Sequence, residues 1–112
     1  MVQRIVMNEY KIETTEQFDK DFAKLDYSIK VQVENEIEQL KTNPFVGKPL
    51  GYKFFREKKV GKFRFYFLIY EKKVIVFVVA LSEKKDQQEV INLIKHLIPH
   101  YREEIEKRTK QM

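Results

Sequence analysis

The hydrophobic pattern predicts an α+β domain of order β-α-α-β-β-β-α. In it, a helical hairpin and a C-terminal helix pack on a small, mainly antiparallel sheet. Three observations carry that expectation. Two amphipathic stripes with helical spacing precede a proline- and glycine-rich break. Three strand-like runs follow in close succession, and a last helical stripe begins near Lys84. A chain of 112 residues is long enough for one core and too short for two.

Taken in order, residues 5–14 form a first strand in which Tyr10 and Ile12 alternate with Lys11 and Glu13. Thr14 or Thr15 can cap a helix whose positive end attracts Glu16 and Asp19. Phe18, Phe22 and Leu25 make its stripe. Asp26 or Ser28 starts a second helix with Ile29, Val33, Ile37 and Leu40 on one side. Asn43-Pro44 ends it, because the residue before a proline is pushed out of the helical region. Residues 43–51 carry two of the three prolines and two of the three glycines, and they are expected to form the main loop.

Residues 52–60, 62–70 and 74–82 then read as strands, with turns at Gly61 and at Glu71–Lys73. On the second of these, Phe63, Phe65, Phe67 and Ile69 share a face assigned to the core. Lys62, Arg64, Tyr66, Leu68 and Tyr70 share the other, which begins basic and aromatic and turns apolar. The third is apolar on both faces, as a covered central strand is. A last helix carries Val90, Ile91, Ile94, Leu97 and Ile98, and Pro99 should kink or end it. The expected division is a single domain over residues 1–98 and a polar tail over 99–112, which is either an extra surface helix around Ile105 or a frayed end.

Composition narrows the function classes. With 43% apolar and 35% charged residues the chain is globular, not disordered. The absence of cysteine excludes a disulfide framework or a thiolate metal site. The longest apolar run, Val74 to Leu81, is far short of the roughly 20 residues a membrane helix needs, and the first ten residues have no signal-peptide block. A soluble, cytoplasmic protein is expected. The net charge of +5 is localised: residues 53–64 hold six basic side chains and only Glu57, while the rest of the chain balances at sixteen of each sign. Concentrated positive charge of this kind suits a polyanion, although lysines also protect an edge strand.

The other motifs are weaker. His96 and His100 stand at i and i+4, a metal-ligand spacing, but Pro99 interrupts it and surface histidines are expected, with no metal and no cofactor. There is no glycine-rich phosphate loop and no nucleophile elbow. Arg56 and Lys58 are two apart and share a face of their strand, as do Lys62, Arg64 and Tyr66 of the next. The two strands together could present a basic cleft with an aromatic ring for a base.

The ordered pieces resemble the RelE/ParE toxin superfamily. They are the helical hairpin ending in Asn43-Pro44, the stretch Gly47-Lys48-Pro49-Leu50, and the run from Phe55 through Arg56, Lys58, Gly61 and Arg64 to Tyr66. Leu68-Ile69-Tyr70-Glu71 and Ala80-Leu81-Ser82-Glu83-Lys84-Lys85 complete them. The resemblance spans roughly residues 8–95 and is closest to RelE-like mRNA endonucleases. It implies the toxin of a type II toxin–antitoxin pair that cleaves mRNA on the ribosome without a metal. The 2′-hydroxyl attacks the neighbouring phosphate and leaves a 2′,3′-cyclic phosphate. The partner it implies is a cognate RelB-like antitoxin, whose charge complementarity would speed the encounter.

Such chemistry needs a base, cations for the phosphorane and an acid for the leaving oxygen. The resemblance assigns Lys58 as base, Arg56 and Arg64 as the phosphate clamp, and Lys85 as a further catalytic cation. It gives Lys53, Lys59, Lys62, Tyr66 and Lys84 to RNA binding. Where some relatives carry a late tyrosine this chain has Ile91, so the general acid is unassigned, with Lys85 or Asp86 able to serve. Two alternatives stand beside this one: a ParE-like, non-enzymatic inhibitor of DNA gyrase, and an RNA-binding module of the same fold without cleavage activity.

Overall fold

The computed structural model describes residues 9–110. Strand β1 (Lys11–Thr14) leads into helices α1 (Glu16–Ala23) and α2 (Tyr27–Leu40), then a 3-10 turn at Pro44–Val46. Four further strands follow: β2 (Lys48–Tyr52), β3 (Phe55–Val60), β4 (Phe63–Tyr70) and β5 (Ile75–Glu83). Helix α3 (Gln87–Lys110) closes the chain. The strands lie in the order β1-β5-β4-β3-β2, parallel between β1 and β5 and antiparallel elsewhere. The expected α+β class with a mainly antiparallel sheet is what forms. The first part of the expected opening strand, residues 5–8, lies outside the described residues.

Both faces of the sheet are covered, by different helices. Phe65, Phe67, Ile69, Val76 and Val78 point to α1 and α2, where the expected stripes meet them through Phe18, Val33 and Leu40. Phe55, Tyr66, Leu68, Phe77 and Val79 point to α3, meeting Ile91, Ile94 and Ile105. Of the two expected caps, Thr15 is the one used. Its hydroxyl accepts from the Phe18 N–H at 3.0 Å and donates to the Val79 carbonyl at 2.8 Å, tying α1 to β5.

Three expectations need correction. Residues 43–51 are not simply a loop, because Lys48–Tyr52 pairs with β3 as a fifth strand. Pro49 disguises it in sequence, yet an edge strand tolerates a residue with no N–H to donate. The run read as one strand from Tyr52 is consequently two, divided by a turn at Lys53 and Phe54.

The third correction concerns Pro99, which neither ends the last helix nor separates a tail. Helix α3 runs through it to Lys110, although the proline deprives the Lys95 carbonyl of its usual donor. Ile105 has no exposed surface, and Arg108 fastens the far end. Its guanidinium donates to Glu13 at 2.9 Å and to the Thr14 carbonyl at 3.0 Å, and it stands 5.0 Å from the centre of the Phe77 ring. Packing of this kind outweighs the local cost of one proline.

Candidate RNA-processing site

The basic segment folds into the β3–β4 hairpin, with Gly61 in the left-handed region (φ +57°) at its turn. The hairpin register decides where each charge goes. Arg56 lies opposite Phe67 and Lys58 opposite Phe65, so both point to the α1/α2 side. Glu57 lies opposite Tyr66 and Lys59 opposite Arg64, so these four point to the α3 side. The register thus sets Arg56 and Lys58 on one face of the sheet and Arg64 on the other, although Lys58, at the open strand edge, lines the same cavity as Arg64 and Arg56 does not.

On the α1/α2 side the cations are engaged in structure. Arg56 donates to three backbone carbonyls, those of Lys53 and Phe45 at 2.8 Å and of Gly47 at 2.7 Å, and its guanidinium stands 5.2 Å from the Phe45 ring centre. Gly47 makes this approach possible: a Cβ there would come within 2.8 Å of the Phe67 ring and 2.9 Å of the Glu57 carbonyl. Lys58 reaches across to Glu36 on α2 at 2.8 Å. A base role for Lys58 would require breaking that ion pair, and a phosphate clamp by Arg56 would require giving up its carbonyls. Neither residue is disposed as expected.

On the α3 side a cavity of about 500 Å³ opens where β2 ends and β3 continues as an edge. Glu57, Lys59, Arg64 and Lys84 line it, with Lys48 from β2 and Gln87 from the first turn of α3. Lys58 also reaches its rim along the open strand edge. Glu57 is 5% exposed, and Gln87 Nε2 donates to both its carboxylate oxygens at 2.8 Å. Arg64 is 6% exposed; its Nη1 donates to the Gly61 and Phe63 carbonyls at 3.2 and 3.0 Å. Those bonds fix the guanidinium and leave its other N–H groups without a protein partner among the described residues. A carboxylate held among five cations is a place where a phosphate can be bound and a proton taken.

The other expected residues fall around this centre or away from it. Tyr66 is completely buried, with its hydroxyl 2.8 Å from Ser82 Oγ. Burial foremost, with Glu57 nearby, raises its phenol above the ordinary value against the opposing effects of Ser82 and Arg64. It packs in the core beneath α3 and has no ring face free for a base, contrary to expectation. Lys62 is exposed, 3.7 Å from Glu83 and over the Phe63 ring. Lys53 Nζ stands over Phe45. Lys85 is exposed beside Lys84 but does not line the cavity.

Glu57, Gln87 and Lys48 were missed as site residues. A two-residue turn at Gly61-Lys62 fixes the strand register and would have set Glu57 beside Arg64. His96 and His100 are exposed on α3, and among the described residues no three carboxylate or imidazole side chains converge as metal ligands do. Nor is any described helix long and apolar enough to cross a membrane.

A parallel β1/β5 pair, an antiparallel β2–β5 sheet, a helical hairpin on one face and a terminal helix on the other define the RelE-type toxin fold. Solved structures bear this out. Escherichia coli RelE, as a double mutant in the free state, matches with a TM-score of 0.67 and 18% identity, over 80% of this chain and 98% of that one. The toxin–antitoxin complex RelBE2 of Mycobacterium tuberculosis matches with a TM-score of 0.59 and 24% identity, over 70% and 94%. The RelE–RelB complex of the archaeon Pyrococcus horikoshii matches with a TM-score of 0.60 and 16% identity, over 67% and 94%. At such identities the likeness is one of fold. No curated protein matches the chain in sequence. The family model for the ParE toxin of type II toxin–antitoxin systems matches residues 12–88, and the chain belongs to that family.

Proposed function

We propose that this toxin is an endoribonuclease that cleaves mRNA on the ribosome, with its site in the cavity between β3, β4 and the start of α3. The observation that carries the reading is Glu57, a buried carboxylate oriented by Gln87 and surrounded by Arg64, Lys48, Lys59 and Lys84. In the cleavage, the 2′-oxygen bonds to the adjacent phosphorus as its proton passes to Glu57. Arg64 and the lysines take up the charge that develops on the phosphorane oxygens. The bond to the 5′-oxygen breaks, leaving a 2′,3′-cyclic phosphate, and the departing oxygen takes a proton from Lys84. Of Lys84, Lys85 and Asp86, Lys84 is the one that lines the cavity. Glu57 replaces Lys58 as base in this scheme because the Lys58 ammonium is bonded to Glu36.

A cognate antitoxin of the RelB kind is the proposed protein partner, as in the complexes of the M. tuberculosis and Pyrococcus relatives. The net charge of +5 carried by residues 53–64, together with the cations that line the cavity, favours an acidic segment as its cover.

The test is primer extension on mRNA in a reconstituted translation system with wild type, Glu57→Gln and Arg64→Ala. Cuts at ribosome-positioned codons that weaken in both variants, with folding intact by circular dichroism, are expected. A folded wild type that makes no cuts sinks the reading. The second reading, a non-enzymatic gyrase inhibitor, is favoured by the family model that matches. Inhibition of DNA supercoiling by wild type, without RNA cuts, is its signature.

A further inference from the structure

With Tyr66 buried, the aromatic surface near the site lies elsewhere. Tyr52, at the end of β2, is 46% exposed. Phe54 backs its ring, with centroids 5.0 Å apart and planes inclined by 27°. One face of the tyrosine is therefore supported and the other is open.

The position of Tyr52 relative to the cavity follows from the register of β2 against β3, and α3 runs past the same edge. At the near end of β2, Lys48 lies opposite Glu57 and lines the cavity. The strand bulges between Pro49 and Tyr52, so that Tyr52 lies opposite Phe55, only two β3 residues from Glu57, about 7 Å at ~3.3 Å per residue. Helix α3 runs alongside: Gln87 bonds Glu57, and Lys95 Nζ stands 3.0 Å from where a Cβ on Gly51 would be. Eight residues of helix separate Gln87 from Lys95, about 12 Å at ~1.5 Å per residue. The Lys95 ammonium thus lies over Gly51, the neighbour of Tyr52 in β2. The segment from Lys48 to Arg56 contains three basic and no acidic residues, and Lys48, Lys53 and Lys95 are all exposed.

We propose that the β2 edge and α3 form a track for single-stranded RNA leading from the Glu57 cavity, and that Tyr52, backed by Phe54, is a stacking platform for one unpaired base of that RNA. The proposal rests on the endonuclease reading and adds a binding subsite to it. Stacking on an aromatic ring accepts any base, because each has a π-face, while lysines along the track meet the backbone phosphates. The exposed, backed ring of Tyr52 favours RNA over an acidic protein segment, which would contact the cations alone and leave the ring idle.

The test uses a labelled single-stranded RNA oligonucleotide, 2′-O-methylated so that it cannot be cleaved, with affinity read by fluorescence anisotropy. An abasic residue is moved along it one position at a time. For wild type, one abasic position is expected to weaken binding about tenfold or more. Tyr52→Ala should weaken binding of the intact oligonucleotide by the same factor and abolish the effect of that abasic position, while Tyr52→Phe should behave as wild type. A Tyr52→Ala protein that retains the full abasic effect overturns the platform. So does one that binds RNA normally and loses only association with its antitoxin. If wild type binds no RNA, or cleaves mRNA with Tyr52 making no difference, the platform falls alone; the endonuclease reading falls only if the folded wild type makes no cuts in the translation system.

Discussion

The two faces of the β3–β4 hairpin carry the same kinds of side chain and use them differently. Toward α1 and α2, Arg56 and Lys58 are engaged in structure: three carbonyls and an aromatic ring hold the one, and Glu36 holds the other. Toward α3, Arg64 is braced through one nitrogen only, and Lys59 and Lys84 extend from the cavity into solvent around Glu57. A cation is available to a ligand only if the fold has not already used its donors. Charge density along the chain does not reveal that; the hydrogen-bond inventory of each guanidinium and ammonium does.

The sharpest way to break the comparison is to remove the arginine of each face in turn. Arg64→Ala should reduce mRNA cleavage by about 10²–10³, the usual effect of losing one preorganised donor to a developing anion. Initial rates of codon-positioned cutting measure it. The reduction should exceed any change in melting temperature. A variant that cuts at the wild-type rate would remove Arg64 from the site.

Next in size is a change on the α3 face that touches no charge. Ile105→Ala, at a position without solvent exposure, should cost about 2–5 kcal/mol in chemical denaturation. A loss under ~1 kcal/mol would mean that the C-terminal half of α3 contributes little to the core. Arg56→Ala should follow, at about 2–4 kcal/mol, since it strands the carbonyls of Phe45 and Gly47 as well as removing charged hydrogen bonds. Cleavage per folded molecule should survive it. Destabilisation without loss of chemistry for Arg56, set against the reverse for Arg64, is what the division of faces requires.

That division explains how far the sequence could be read. The stripes of α1 and α2 and the two-faced apolar run of β5 were legible because burial repeats at the period of the element. Strand β2 was not, since Pro49 and Gly51 are loop residues everywhere except at an edge. Tyr66 was misjudged for a related reason: its strand face looked amphipathic, but α3 covers it, and a helix that crosses Pro99 is not visible from local propensity. The face of Arg56 and Lys58 turned on the register of one hairpin. A slip of a single residue there moves every side chain to the other side, so residue spacing within each strand could not say that Arg56 and Lys58 face away from Arg64.

A smaller test separates attachment from catalysis on the α1/α2 face. Lys58→Met should cost about 1 kcal/mol or less, as partly exposed ion pairs do. It should also leave cleavage within about threefold of wild type, under ~1 kcal/mol in the barrier. A hundredfold loss would return Lys58 to the role of base and make its bond to Glu36 a resting arrangement.

The smallest expected effect concerns the far edge of the sheet, where Arg108 joins α3 to β1 and the site is remote. Burial acts most strongly on Glu13 and would raise its carboxyl. Hydrogen bonds from Arg108 and Lys11, with the charges of both, together outweigh it and hold the carboxyl below its ordinary 4.5. A lowered folded value means that the unfolded chain binds the proton more readily. The stabilisation is therefore present above about pH 4.5 and is lost as the pH falls through the lower folded value. Glu13→Gln should cost about 1 kcal/mol at neutral pH, where the ion pair is intact, and less as the pH drops through the acid range. The difference in melting temperature between wild type and variant should accordingly narrow on acidification while the rate of cleavage at neutral pH stays the same. A difference that stays constant with pH would show that the side chain acts through packing, and that α3 is held to β1 by Ile105 and the Phe77 ring instead of by charge.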